Sequence, residues 1–328
     1  MPISGAGPDS GSGGADTNAS RARERLAACL DDASGSLSHH TIRAMRSDLD
    51  AFASWCAGRG LSPLPARPGT VAAYVGAMAE VRAVATVRRY LYSIATAHRW
   101  AGERSPLEDA GVQRALRRMR RRNGCRQRQV HELTWKLRRR LIEAAGDRPI
   151  DLRNRAMLAA AYDAMLRRSE LVALQVVDLS VDTRGSGSLF LRRAKNDPEG
   201  NGATLYLHRD TVSLLRDWLA AAGISSGSLF RSVRKDGVAG GALDESQVPR
   251  IYRAMAERAG LAPEVVRRIS GHSPRVGAAQ DMIASGIGIP AIMQAGRWRS
   301  VSMVQRYGER LLAERSGAAK LARLQERA

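Results

Sequence analysis

The sequence predicts a mainly α-helical chain of two domains, with one small antiparallel β-sheet confined to the second. Three observations carry that expectation. Apolar residues recur at helical spacing through most of the 328 residues, as in Ile42, Met45, Leu49, Phe52 and Cys56. Strand-like runs are few and short, and all lie in the second half: residues 176–179, 188–191 and 203–207. Between the halves, residues 123–132 are basic and lack an apolar period, which marks a linker.

Taken in order, residues 1–37 read as a disordered N-terminal segment. Residues 1–20 are rich in Gly and Ser, and 21–30 add a short helix whose role is not legible. Ser38 caps the first strong helix, and Gly58 and Gly60 end it. Its outer face carries Arg43, Arg46 and Asp50. A proline-rich loop, 62–68, leads to a helix with Val71, Tyr74, Val75 and Met78. A third helix turns Val84, Val87, Leu91 and Ile94 inward, with Arg88 and Arg89 outward. A fourth starts near Leu107, buries Val112, Leu116 and Met119, and ends in an arginine run that includes Arg118 and Arg121. Residues 38–122 thus form a four-helix unit with basic outer faces.

The second domain spans 133–328. Leu137, Leu141 and Ile142 mark one helix, residues 153–165 a buried one, and residues 166–171 open a third. The last two strands are joined by a turn-rich tip, 194–202, that holds Lys195. Helices follow at 211–222 and 245–260. The latter presents Arg250, Arg253 and Glu257 on one face, which suits either a major-groove reader or plain solvated surface. Ser273 before Pro274 reads as an N-cap and first helical residue, with Val276, Ala279 and Ile283 inward and Gly286 at the end. Pro290 starts a short helix that Gly296 ends. After Tyr307, the residues Leu311, Leu312, Lys320, Leu321 and Leu324 predict a terminal amphipathic helix.

The formal net charge is +20, so a polyanion is the expected partner. Of 52 basic residues only Lys136, Lys195, Lys235 and Lys320 are lysine. Cys29, Cys56 and Cys125 are isolated and lack metal-ligand spacing, which points to a reducing interior. No apolar run approaches membrane-spanning length, so the expected location is cytoplasmic, on the nucleoid if the chain is bacterial. No carboxylate trio suggests a two-metal nuclease, and no metal or cofactor is expected.

His272 and Arg275 flank a helix N-terminus, where free N–H groups favour an anion. Trp298 and Tyr307 follow within forty residues. Singly, a His or Tyr at such positions is more often structural, and a helix–turn–helix alone could be a plain DNA-binding module. Together the residues form an ordered set: His-x-x-Arg at 272–275, Gly-x-Trp at 296–298, then Tyr307 nine residues on. Arg167-x-x-Glu170 precedes them, and Lys195 sits on a hairpin tip.

That set resembles the tyrosine recombinase (phage integrase) family. The resemblance covers residue 38 onward and implies a two-domain DNA clamp, with 38–122 as a core-binding domain and 133–328 as a catalytic domain ending in an exchange helix. It implies double-stranded DNA with an inverted-repeat site, a homotetramer on two sites that is a monomer or weak oligomer when free, and a 3′-phosphotyrosyl intermediate. Tyr307 would be the nucleophile, Arg167, Arg275 and Trp298 the phosphate clamp, His272 the proton acceptor, Lys195 the acid for the 5′ oxygen, and Glu170 a supporting residue. Arg43, Arg46, Arg88, Arg89, Arg118, Arg121, Arg250 and Arg253 would contact DNA. The long Gly/Ser N-terminus, the arginine-rich outer faces and Pro274 inside the His-to-Arg box depart from the pattern. A type IB topoisomerase shares the nucleophile and the clamp, and a non-catalytic DNA-binding regulator is a further alternative.

Overall fold

In the computed structural model, residues 24, 25, 27, 28, 30–32, 36–125, 129–192, 200–314 and 316–326 are described. The chain divides into two units, Met1–Arg128 and Gln129–Ala328.

In the first unit Ser38 does cap α1 (His39–Ala57), its hydroxyl accepting from the Thr41 N–H at 3.2 Å. The predicted stripe faces inward, with Met45, Leu49, Phe52 and Cys56 all buried. Pro68 opens α2 (Pro68–Ala79), followed by α3 (Val84–Trp100) and, after a short 3₁₀ turn, α4 (Ala110–Asn123). These four helices enclose one core around Tyr74, Leu91, Ile94 and Val112. Leu30, inside the segment expected to be disordered, is buried in that core, because its apolar side chain packs with those of the four helices. Arg89 does not simply point outward. Its guanidinium donates to the buried Asp48 carboxylate at 2.7 Å, and Ser93 donates to the other oxygen at 2.9 Å.

The second unit opens on a segment that the sequence assigns to the linker. Its end is held in place: the His131 N–H donates to the Arg268 carbonyl at 2.9 Å, and the Leu133 N–H to that of Ser273 at 3.0 Å. Helices α5 (Trp135–Glu143) and α6 (Pro149–Asp163) follow. Ala156 to Ala161 of α6 are buried all round, which makes it the central helix. Next come α7 (Arg168–Ala173) and the sheet β1 (Leu179–Val181), β2 (Gly187–Leu191) and β3 (Ala203–Leu207), antiparallel in chain order. Leu189 pairs with Leu179 and Leu205, so the leucines share one buried face while Phe190 and Tyr206 face out. Val176–Asp178, expected as strand, is a 3₁₀ turn. Asp178 accepts from the Gln175 N–H at 2.8 Å, and that local bond competes with strand pairing.

Helix α8 (Arg209–Ala221) packs on α6. It leads to a hairpin not evident in the sequence, β4 (Arg231–Val233) and β5 (Ala239–Ala242). Then come α9 (Gln247–Arg258), α10 (Pro263–Arg268), α11 (Ser273–Ala284), α12 (Ile289–Gly296), α13 (Val301–Ala313) and α14 (Gly317–Leu324). Two expected boundaries move. The N-cap of α11 is His272, since the Ser273 hydroxyl is buried and accepts from the Ser270 N–H at 3.0 Å instead of from the helix. Gly296 stays inside α12, and the left-handed cap is Arg297. The predicted terminal helix is two helices. Leu311 and Leu312 continue the helix that carries Tyr307, and Ser316 caps α14 afresh by accepting from the Ala319 N–H at 3.2 Å.

Among the described residues, no helix is long and apolar enough to cross a membrane.

Candidate active site

The site is built on five helices of the second unit, mostly at their ends. The α6–α7 turn supplies Met165 and Arg167, α7 supplies Glu170, and the start of α11 supplies His272 and Arg275. The α12–α13 turn supplies Arg297 and Trp298, and the middle of α13 supplies Tyr307. Helix α13 packs on α11 and α12, and Val304, Ile283, Ile292, Trp298 and Met165 form the small apolar core beneath. That core sets the distance that matters most: the His272 Nε2 lies 2.7 Å from the Tyr307 hydroxyl.

Arg275 is the largest charged group in the floor and is fully buried. Its two terminal nitrogens donate to the carbonyls of Met165 and Gly296, and its guanidinium carbon lies 5.1 Å from the Trp298 ring centroid. Its Nε has no acceptor among the described residues, a donor left over in a buried site. Burial, with Arg167 and Arg297 alongside, pulls its pKa down to about 9, which leaves it charged at neutral pH. The carbonyl cradle depends on backbone bends. Met165 and Arg297, both non-glycine, hold positive φ of 46° and 51°.

Glu170 is shared. Its Oε1 accepts from Arg167 Nη1 at 2.5 Å, and its Oε2 from the Arg167 N–H at 2.9 Å and from Arg297 Nη2 at 2.7 Å. Burial raises its pKa, yet Arg297 first and then Arg167 outweigh that and hold it below the ordinary carboxylate value. The result is a buried carboxylate between two guanidiniums. Arg297 was missed in the sequence because it is the unspecified residue of Gly-x-Trp; its only signal is a long cation where a small residue suits the turn.

His272 is half-buried. Burial, then the charges of Arg275, Arg167 and Arg306, pull its pKa down to about 4, so the imidazole is neutral at pH 7. Burial raises the Tyr307 pKa, partly offset by Arg275, Arg306 and Arg167, so the phenol keeps its proton. The Trp298 and Tyr307 ring centroids lie 5.2 Å apart. A neutral imidazole in hydrogen-bond contact with a phenol can take its proton as a phenolate nucleophile forms, and the guanidiniums beside it favour that anion.

Of the sequence-predicted set, Arg167, Glu170, His272, Arg275, Trp298 and Tyr307 therefore converge, although they span both ends of the unit. Lys195 lies outside the described residues. The arginines expected on DNA-facing surfaces, Arg43, Arg46, Arg88, Arg89, Arg118, Arg121, Arg250 and Arg253, are exposed. Arg46 donates to Asp31 at 2.9 Å, Arg89 to Asp48 at 2.7 Å and Arg253 to the Ile269 carbonyl at 2.9 Å, so those three heads are engaged within their own units.

This geometry has relatives. Residues 131–311 match the model of the phage integrase family. The chain belongs to that family. As a phage integrase family member it is a tyrosine recombinase, an enzyme of site-specific recombination that cleaves and rejoins DNA. It is 31% identical over 301 residues to the recombinase cre of Escherichia phage P1, covering 87% of this chain and 88% of that protein. It is 28% identical over 281 residues to an integrase/recombinase xerD homolog of Selenomonas ruminantium, covering 82% and 81%. In fold it is similar to the XerH site-specific recombinase bound to a palindromic difH substrate, with a TM-score of 0.64 at 14% identity over 91% of this chain and 95% of that one. It is also similar to a lambda integrase tetramer bound to a Holliday junction, with a TM-score of 0.60 at 18% identity, covering 89% and 76%.

Proposed function

We propose that this recombinase cuts one DNA strand by attack of the Tyr307 oxygen on the scissile phosphorus. The P–O bond to tyrosine forms, the bond to the 5′ oxygen breaks, and a 3′-phosphotyrosyl link and a free 5′-hydroxyl result. His272 takes the phenolic proton, and Lys195 returns one to the 5′ oxygen, a transfer for which arginine is too weak an acid. Arg167 and the spare donors of Arg275 stabilise charge on the non-bridging oxygens, and the Trp298 indole adds a donor that cannot act as a base. A 5′-hydroxyl from a second duplex then reverses the chemistry. The link keeps the phosphodiester's energy, so no nucleotide or metal enters any step. The observation that carries this reading is the 2.7 Å contact between the neutral His272 and Tyr307, set among Arg167, Arg275 and Arg306.

The partner in this reading is double-stranded DNA with inverted-repeat arms, held by Arg43, Arg46, Arg88, Arg89, Arg118 and Arg121 of the first unit and Arg250 and Arg253 of the second. Four protomers assemble on two sites, in the cytoplasm on the nucleoid. Helix α14, none of whose residues is buried, with Leu321 49% and Leu324 83% exposed, docks on a neighbouring protomer as the exchange helix. Binding selection from a random DNA pool tests the partner, and an inverted repeat is the expected product. A nicked duplex tests the chemistry. With excess EDTA present, the wild type should trap as a denaturation-resistant adduct while Tyr307→Phe binds and yields none. Adduct formation by the variant would remove Tyr307 from this role.

A further inference from the structure

Arg297 occupies a backbone position that costs it energy. At φ 51° and ψ 46° it takes the left-handed cap of α12, a place that glycine fills without strain. The preceding Gly296 is kept small by packing, since a Cβ there would lie 2.6 Å from the Trp298 ring. The bend therefore falls on residue 297, and a long cation is retained there where glycine would be easier. Its side chain accounts for that: Nη2 reaches Glu170 Oε2 at 2.7 Å and the Met165 carbonyl at 3.2 Å, and Nη1 reaches the Ala164 carbonyl at 3.1 Å. All three ion-paired side chains are shielded, with side-chain exposures of 18% for Arg167, 4% for Glu170 and 11% for Arg297.

Charge counting gives the cluster a purpose. Two guanidiniums and one carboxylate leave a net charge of +1 in this corner. With Arg297 gone, Glu170 would cancel Arg167, and its Oε2, left with only the Arg167 N–H, would be free to turn to the guanidinium and pull it off its line. We propose that Arg297 is a positioning residue for phosphoryl transfer: by occupying one oxygen of Glu170, it keeps Arg167 oriented and leaves it the positive charge that the non-bridging oxygens require. The Met165 carbonyl ties this to the floor, because it accepts from both Arg297 and Arg275. The inference rests on the reading of Tyr307 as nucleophile and adds a residue that acts through Arg167. The plainer alternative is that Arg297 only fastens the α12–α13 turn.

Arg297→Gly separates the two, because it removes the side chain at a position whose backbone suits glycine. The measurements are adduct formation on a nicked duplex at saturating DNA, affinity for the intact duplex, and the thermal midpoint. Affinity should change by less than about threefold, while adduct formation slows ~10²-fold, the loss expected for one misdirected oxyanion donor. Acidification from pH 7.5 to 5.5 should speed the variant but not the wild type, since protonating a Glu170 that has lost Arg297 restores the +1. Arg297→Gly combined with Glu170→Gln also restores +1 and should recover at least tenfold. A wild-type rate in the single variant, or a slow rate that neither acid nor the second change relieves, would overturn the proposal. Tyr307→Phe runs in the same assay: adduct there would defeat the parent reading, whereas its absence beside an unaffected Arg297→Gly would defeat this one alone.

Discussion

At the scale of single residues the site is a device for setting two protons. The His272 pKa is pulled down to about 4 by burial and then by three arginines, and burial raises that of Tyr307. The second-order rate of adduct formation, which reports the free enzyme, should therefore stay level from pH 7.5 to 5.5. An imidazole of ordinary pKa would show a fall centred near 6.5, and such a fall would contradict the assignment. The same shift has a sign for stability. Between about 4 and 6.5 the unfolded His272 binds a proton that the folded one does not, so its contribution is present above 6.5 and lost as pH drops toward 4. Wild type should lose more thermal stability over that window than His272→Gln. The motif spacing made His272, Arg275 and Tyr307 legible in the sequence. It could not make Arg297 legible, because its importance lies in a left-handed backbone and a partner 127 positions away.

Elements rather than residues fix the 2.7 Å contact, and two glycines show how. Gly277 of α11 faces the backbone at Leu133, where a Cβ would lie 2.0 Å from the carbonyl oxygen. Gly308 of α13 faces Ile283 Cδ1 at 2.3 Å, the end of a side chain that can rotate. Gly277→Ala should destabilise the unit by about 2–3 kcal/mol, because backbone has to move. Gly308→Ala should cost less than about 1.5 kcal/mol yet displace the helix that carries Tyr307, so that adduct formation slows more than stability falls. Thermal midpoints and single-turnover rates of both variants check this, and a larger loss of stability for Gly308→Ala would contradict it. Helices with a full apolar stripe, such as α1, were readable to within a residue or two. The elements that were misread lack a period long enough to outweigh local bonds. Asp178 turned a β-branched run into a 3₁₀ turn, and the Ala-Gly-Gly-Ala of β5 carries no strand pattern at all.

For the whole molecule, the +20 charge fits an enzyme that acts on DNA, and α14 leaves Leu321 and Leu324 exposed. Deleting residues from Ser316 onward should leave the thermal midpoint and single-site binding unchanged, since α14 has no buried residue. Pairing of two sites should weaken by over tenfold, because each leucine lost from an interface is worth roughly 1.5–3 kcal/mol. Sedimentation with site DNA checks it, and unchanged pairing would contradict the exchange role. The central claim is narrower: the phenol of Tyr307 becomes bonded to DNA. Peptide mass spectrometry of the adduct trapped on a nicked duplex and digested with nuclease and protease tests it most directly. The account predicts a nucleotide remnant on the peptide that contains Tyr307, joined through a 3′ phosphate. A remnant on any other residue, or one joined through a 5′ phosphate, would contradict it.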